Sequence, residues 1–279
     1  MAAIEHRALF AALSEQGVPV EYRTLLQCLY TAQRGLVDSC QFDIERGVRQ
    51  CDVISPMLFN AALEAVMCRW QARLGNCGLL LSPQSDRLTN IRYADDILLF
   101  ARSHEDAVFM FDCLVEELSR AGLSVNARKT KILTTDANVA ADEVPLFLDA
   151  GGGMVEVVKH AGTHKYLGRL LSGDLRMRGK CNLEHRMKCV WLKYHQFSDT
   201  LQNRNIPIKL RLRLFGSVVT PSVLYSLTST PLTQKDLDKL DALQGKMLRR
   251  IVGWVRLEEE PWQLTGHRMK RRLDAALAQ

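Results

Sequence analysis

The sequence LTNIRYADDILLF, residues 88–100, places a short apolar run on each side of the adjacent acids Asp95 and Asp96. Two such runs separated by a brief polar break are typical of a β-hairpin. The sequence therefore predicts a hairpin whose turn carries both acids. Neighbouring carboxylates repel each other unless a cation lies beside them, and Mg²⁺ often binds one or two carboxylates together with substrate phosphates. A divalent-metal site is one reading of this turn, and an ordinary polar turn is the other.

Helical patterns flank this hairpin on both sides. Upstream, Ser55 is expected to cap a helix that has Pro56 in its first turn and ends at Gly75. Downstream, Ser103 and Asp106 predict the start of a helix over 104–121. The other predicted elements of this half are amphipathic helices over 6–16 and 20–33, an extended segment over 36–44, and a second hairpin over 144–158.

The charge of the chain changes at the point where the secondary-structure pattern changes. Residues 1–158 carry 14 Lys and Arg against 21 Asp and Glu, whereas residues 159–279 carry 23 against 10. Beyond about residue 180 the pattern predicts helices alone, over 180–202, 207–227 and 233–252. A basic helical half favours a polyanionic partner, and a solvated basic surface is the alternative.

Composition excludes several classes of protein. With 279 residues, 47% of them hydrophobic and 24% charged, the chain is neither disordered nor fibrous. It has no apolar run of the length that a membrane span needs, so no membrane partner is expected. Its first residues do not read as a signal peptide, and its eight cysteines form no CxxC pair. An intracellular setting with free thiols is the simplest expectation, with nucleus and cytoplasm both open.

Tyr93-Ala94-Asp95-Asp96 between apolar strands resembles the catalytic box of reverse transcriptases. Further motifs follow in the order of that family, and the ordered set is more specific than any one of them. They are Gly47-Val48-Arg49-Gln50 to Ser55-Pro56 with Leu58-Phe59-Asn60, Gly122-Leu123 with Asn126, Lys129, Thr130 and Lys131, Lys165-Tyr166-Leu167-Gly168, and residues 207–254 with Tyr225. The last stretch resembles the thumb of non-LTR (LINE-like) retrotransposon enzymes.

The resemblance implies an α+β fold. An incomplete right-hand polymerase palm, an antiparallel sheet with helices and part of the fingers, would occupy residues 1–160. An all-helical, basic thumb with a C-terminal connection would occupy residues 161–279. The implied activity is that of an RNA-directed DNA polymerase of a retroelement, with an RNA template, a DNA primer, deoxynucleoside triphosphates (dNTPs), and Mg²⁺ or Mn²⁺. The oligomeric state stays open.

The resemblance also implies a role for each matching residue. Asp95 and Asp96 would be catalytic metal ligands, with Asp95 the stronger candidate. Lys129 would approach the triphosphate, as a charge neutraliser or as a proton donor to pyrophosphate. The implied substrate-binding residues are Arg49 and Gln50 at template and nucleotide, Tyr93 in the catalytic box, and Tyr166, Leu167 and Gly168 at the primer end. Alone, Gln50, Lys129 and Tyr166 would each read as an ordinary structural residue, and only their order beside Asp95 and Asp96 favours these roles.

Two departures from the family pattern bear on activity. The family has a further catalytic aspartate before a helix that resembles His6–Leu13, but residues 1–37 contain no aspartate, and Glu5 falls past the expected position. Cys51 stands where the family usually has glycine, and its Cβ would clash if the backbone needs a positive φ. We therefore expect weak or no polymerisation, from a piece of an element or a gene model that begins at an internal Met. A non-catalytic nucleic-acid-binding remnant and a pseudogene product are the alternatives.

Aromatic residues also accompany the cations of the basic half. Trp191, Tyr194 and Phe197 lie near Arg186 and Lys193 in the sequence. Such aromatics usually form the core of a helical bundle, although stacking on nucleic-acid bases is the alternative.

Overall fold

The computed structural model describes residues 4–31, 33–49, 51–136, 146–151 and 153–277. These residues form two compact units. The first contains the described residues up to 132 together with 146–157, and the second contains 133–136 and 158–277.

The first unit combines helices with short strands. Its helices are α1 (His6–Glu15), α2 (Val20–Tyr30), α3 (Ser55–Arg73) and α4 (His104–Arg120). Its strands are β1 (Arg34–Val37), β2 (Cys40–Asp43), β3 (Leu79–Leu80), β4 (Arg87–Leu88), β5 (Asn90–Tyr93), β6 (Asp96–Leu99), β7 (Lys131–Leu133), β8 (Leu146–Ala150) and β9 (Gly153–Val158). The last residues of β7 and β9 belong to the second unit.

The strands form small separate sheets in the part of the chain that the structure describes. β1–β2, β3–β4 and β5–β6 are antiparallel pairs, and β9 lies between β7 and β8 in a three-stranded sheet. The expectation of one antiparallel palm sheet is therefore not met by these strands. The predicted hairpins around Asp95 and around Gly151 are both present as β5–β6 and β8–β9.

Helix α3 is the centre of the apolar core of the first unit. Trp70 on α3 is fully buried, and its indole N–H donates to the backbone carbonyl of Met110 on α4 at 2.8 Å. The predicted cap of this helix is wrong, because Ser55 is its first residue and Ile54 occupies the N-cap position. The cap of α4 is as predicted, since the Ser103 side chain accepts a hydrogen bond from the backbone N–H of Asp106.

After residue 158 the second unit consists of a β-hairpin followed by helices. The expectation of an all-helical region from residue 161 is wrong for the residues before Leu175, because β10 (Thr163–Tyr166) and β11 (Arg169–Ser172) form an antiparallel pair there. The elements are β10 (Thr163–Tyr166), β11 (Arg169–Ser172), α5 (Leu175–Gln196), α6 (Ser198–Leu201), α7 (Ile208–Leu214), a π-helical turn (Phe215–Val219), α8 (Thr220–Leu224), α9 (Gln234–Val252) and α10 (Trp262–Leu277). None of the described helices combines the length and apolar character needed to cross a membrane.

The core of the second unit lies among α5, α7, the π-helical turn and α9. Tyr194 is fully buried there and belongs to this core, as do Phe215, Met247 and Ile251. At the start of α9 the Asp236 carboxylate accepts hydrogen bonds from the Thr233 N–H and hydroxyl. All eight cysteines are free thiols.

Candidate active site

The β5–β6 hairpin holds the two adjacent acids at its tip. Tyr93 pairs with Asp96 in the ladder, so the turn residues are Ala94 and Asp95. Ala94 has a φ of +54°, and a positive φ at the first turn residue is a feature of tight hairpin turns. The turn therefore carries one acid and the first position of β6 carries the other. Both carboxylates and the Tyr93 side chain are exposed.

The core of the first unit fixes the base of this hairpin. Ile97 and Leu99 pack against the buried cluster that contains Trp70. The Arg92 guanidinium forms a 2.8 Å ion pair with Glu64 of α3. The acids thus lie at the exposed end of an element whose other residues are held by packing and by charge.

The carboxylates of Asp95 and Asp96 fit part of a divalent-cation site. They supply hard oxygen ligands at adjacent positions of the chain, and Mg²⁺ and Mn²⁺ prefer oxygen ligands. Among the residues that the structure describes, no group of three His, Cys, Asp or Glu could hold a metal ion. A cation at this turn would therefore need further ligands from water or from substrate phosphates.

Glu5, the acid nearest in sequence to the expected third carboxylate, is a structural residue here. Its carboxylate forms a 3.1 Å ion pair with Arg46, and its backbone N–H donates to the carbonyl of Ala121 at 3.1 Å. Gly122 packs so closely on it that a Cβ there would lie 2.5 Å from the Glu5 Cγ. These contacts join the start of the chain to the end of α4.

The loop before α3 carries the predicted template and nucleotide contacts. The Arg49 guanidinium donates to the carbonyl of Leu29 at 2.9 Å and lies 5.8 Å from the centre of the Tyr30 ring. Its side chain is thus held by the end of α2. Gln50 lies outside the described residues. Cys51 has a φ of +64°, the left-handed conformation that glycine adopts without strain.

Lys129 lies on a turn that Asn126 organises. The Asn126 carbonyl accepts hydrogen bonds from the N–H groups of Lys129 and Thr130, each at 3.0 Å. Lys131 forms an ion pair with Glu156. The Lys129 side chain is exposed and takes part in none of the ion pairs found among the described residues, so of the two lysines it is the one open to a ligand.

The predicted primer-end residues form the turn between β10 and β11. Leu167 and Gly168 have φ values of +46° and +76°, as a type I′ turn requires. The Tyr225 hydroxyl donates to the Leu167 carbonyl at 2.9 Å, and the Arg186 guanidinium donates to the Gly168 carbonyl. Arg186 also lies over the Tyr225 ring, 4.7 Å from its centre. Two side chains therefore hold this turn, and Tyr166 is the last residue of β10.

Sequence reasoning missed the residues of α5 that support this hairpin. Asn182 is fully buried, and its amide pairs with both the N–H and the carbonyl of Leu170 in β11, at 2.9 and 2.7 Å. A polar residue on the apolar face of a helix was the available signal. Burial lowers the pKa of His185 on the same helix, and the positive charges of Arg186, Lys165 and Lys188 lower it further.

The chain matches a family model and several curated proteins. The model described as "Reverse transcriptase (RNA-dependent DNA polymerase)" matches residues 2–171. The "Retrovirus-related Pol polyprotein from type-1 retrotransposable element R2" of Nasonia vitripennis is 24% identical over 269 residues, which cover 92% of this chain and 24% of that protein. The protein of the same name from Popillia japonica is 27% identical, over 75% of this chain and 28% of that protein.

A third relative comes from Drosophila melanogaster. It is the "Retrovirus-related Pol polyprotein from type-2 retrotransposable element R2DM", 25% identical over 91% of this chain and 23% of that protein. The chain thus spans about a quarter of the length of each of these three R2 proteins.

Proposed function

Because the chain belongs to the reverse transcriptase family, we propose that it extends the 3′ end of a DNA primer with dNTPs along an RNA template. The family match and the R2 relatives confirm the predicted class, a reverse transcriptase domain of a non-LTR retroelement. The observation that carries the proposal is the β5–β6 hairpin, where two exposed carboxylates lie at the tip of an anchored element.

In this proposal Asp95 and Asp96 hold Mg²⁺, or Mn²⁺ in its place. A divalent cation there would supply positive charge to the reacting 3′ oxygen and to the triphosphate. Exposed Lys129 adds positive charge near the phosphates or donates a proton to pyrophosphate. Tyr93 contacts the substrate from the hairpin itself.

Other residues would position the nucleic acid. Arg49 and Gln50 contact the template and the incoming nucleotide from the loop before α3. Tyr166, Leu167 and Gly168 position the primer end, and the hold of Arg186 and Tyr225 on this turn supports that role. The first unit would then act as palm with part of the fingers, and the helices from Leu175 onward as thumb.

The expected activity is weak. Polymerase chemistry uses two metal ions, and the described residues bring no third acid to Asp95 and Asp96. The same observation favours a second candidate function, a non-catalytic protein that binds nucleic acid. In that case the basic second half would still bind the phosphate backbone.

Primer extension separates the two candidates. The purified chain is supplied with an RNA template, a labelled DNA primer, dNTPs, and Mg²⁺ or Mn²⁺. Asp95→Asn is compared with Asp86→Asn, a matched change of an exposed aspartate elsewhere in the first unit. We expect weak extension that Asp95→Asn abolishes and Asp86→Asn retains.

Electron paramagnetic resonance of Mn²⁺ gives a second readout that needs no turnover. We expect Asp95→Asn to weaken Mn²⁺ binding in the presence of a dNTP, with Asp86→Asn unchanged. Extension that survives Asp95→Asn would contradict the role of this hairpin. A folded chain that binds primer–template without any extension would establish the non-catalytic alternative.

A further inference from the structure

An open cavity of about 440 Å³ lies between α9 and α10 in the second unit, outside every site described so far. Its lining consists of cationic and aromatic side chains: Lys246, Arg249, Arg250, Trp254 and Trp262. The volume falls within the range of small-ligand sites. Four of these residues lie in the stretch that resembles the thumb, residues 207–254, but none is among the site residues that the resemblance implies.

Two indole rings form the aromatic part of this cavity. The centres of Trp254 and Trp262 lie 6.1 Å apart and their planes differ by 48°, so the rings are tilted rather than stacked. Trp262 is 65% exposed, an unusual position for a large apolar ring. The Trp254 Nε1–H is buried and has no hydrogen-bond partner among the residues that the structure describes. The site thus offers one exposed ring face, that of Trp262.

Three cations surround these rings. The Arg249 guanidinium lies 5.8 Å from the centre of the Trp254 ring. Lys246 and Arg250 lie 5.6 and 5.1 Å from the centre of the Trp191 ring on α5, which is not part of the cavity lining. In the described part of the chain none of these three cations forms an ion pair, and the cavity lining contains no acid.

The loop that joins α9 to α10 is held in place independently of this cavity. The Glu260 carboxylate accepts hydrogen bonds from Arg268, at 2.7 and 2.9 Å, and from the Thr265 hydroxyl at 2.7 Å. These bonds lower the pKa of Glu260 to about 2. Its charge is therefore matched by Arg268, and the start of α10 that carries Trp262 is fixed.

We propose that this cavity binds single-stranded nucleic acid, with one base stacked on Trp262 and the flanking phosphates on Arg249 and Arg250. Aromatic rings beside cations are the combination that binds unpaired bases and their backbone. A duplex does not suit the site, because the faces of paired bases are already stacked. The site needs neither Asp95 nor a metal ion, so it goes beyond the proposed polymerase chemistry.

Fluorescence anisotropy with a labelled oligothymidylate of about twelve nucleotides tests the proposal on the full chain. Trp262→Ala removes the exposed ring, Trp262→Phe keeps an aromatic face, and Leu264→Ala changes another exposed residue of α10. We expect roughly 5- to 100-fold weaker binding for Trp262→Ala and recovery of most of the affinity in Trp262→Phe. Leu264→Ala should stay within about twofold of the unchanged chain.

A photocrosslinking experiment locates the contact directly. An oligonucleotide that contains 5-iodouracil should crosslink to a peptide with Trp254 or Trp262, and Arg250→Gln should lower the salt dependence of binding by about 0.7 in log–log slope. Unchanged binding by Trp262→Ala, crosslinks confined to other peptides, or no binding by the unchanged chain would each overturn the proposal. Failure of primer extension leaves these readouts intact, so the two proposals are distinguishable.

Discussion

Non-glycine residues with a positive φ occur at three of the turns to which we assign chemistry. They are Cys51 at +64°, Ala94 at +54° and Leu167 at +46°. This conformation costs an L-residue roughly 1–2 kcal/mol, so it persists only where the surroundings impose it. At Leu167 the hydrogen bond from Tyr225 helps to impose it, and at Ala94 the pairing of the two strands does so.

Cys51→Gly should stabilise the first unit. The side chain is exposed and loses little packing on removal, and glycine relieves the strain at a φ of +64° at some entropic cost. We expect the free energy of unfolding to rise by about 0.5–1 kcal/mol, measured by urea denaturation. Gly17→Ala is the matched reverse change, because Gly17 has a φ of +73° and open space around it. A loss of stability in Cys51→Gly would contradict the strain at this loop.

Helix α4 carries two neighbouring glutamates whose ion pairs differ, because one side chain is buried and the other is exposed. Glu117 is 1% exposed and forms ion pairs with Arg73 at 3.0 Å, Arg120 at 2.6 Å and Arg69 at 3.5 Å. Its neighbour Glu116 is 58% exposed, and among the described residues its one ion pair is with Arg73, at 2.7 Å. The buried acid therefore joins α3 to α4, whereas the exposed one forms an ordinary surface pair.

Substitution of these two neighbours should give clearly different losses. Glu117→Gln leaves a buried group with weaker partners, so we expect a loss of about 1–3 kcal/mol in unfolding free energy. Glu116→Gln should cost less than about 1 kcal/mol, as for surface pairs. Chemical denaturation of both variants measures the difference. Equal losses would mean that Glu117 does not hold the two helices together.

The sequence predicts those elements whose signals are local. The β5–β6 hairpin follows from two apolar runs around a polar break, and α4 from its cap at Ser103. The partners of the β10–β11 turn are distant, since Asn182 and Tyr225 lie 12 and 58 residues from the atoms they bind. Helix α10 was missed because its sequence is rich in cations and has Gly266 in its interior, so its docking depends on tertiary contacts.

In the candidate site, too, the sequence predicts some features and not others. The motif around Asp95 and Asp96 identifies the acids, because residue type and order are visible in the sequence. The hydrogen bond from Arg49 to the carbonyl of Leu29 joins residues that are 20 positions apart, so the sequence does not predict it. The sequence does not show whether Cys51 has a positive φ, and the structure has one at this residue. The described strands form separate small sheets and not one palm sheet. This could not be predicted, because strand pairing between distant segments leaves no local pattern in the sequence.

Acid should weaken the second unit through His185 on α5. Burial, and then Arg186, Lys165 and Lys188, lower its pKa below the ordinary value of about 6.5. Between the lowered pKa and 6.5 the unfolded chain binds more protons than the folded chain, so stability falls as the pH falls through that window. His185→Gln should reduce this fall in unfolding measured from about pH 7.5 to 5. An unchanged pH profile in His185→Gln would contradict this role of His185. The control is His267→Gln, which changes an exposed histidine of α10.

Over the whole molecule, charge is divided between an acidic and a basic half. Residues 1–158 carry a net −7 and residues 159–279 a net +13. A total of +6 conceals this division. Because nucleic-acid affinity depends on the cations that reach the phosphates, and not on the net charge of the chain, the basic half should dominate binding.

Salt titration of binding to a labelled primer–template duplex tests this division. Each phosphate contact contributes about 0.9 to the log–log slope of affinity against salt. We expect Lys188→Gln, an exposed change on α5, to lower the slope by up to that amount and to weaken binding of all sequences alike. Arg7→Gln removes a charge that is also exposed, from the acidic half, and should leave the slope unchanged. If Arg7→Gln instead produces the larger change, the acidic half supplies the phosphate contacts, and the assignment of the basic helices to nucleic-acid binding is wrong.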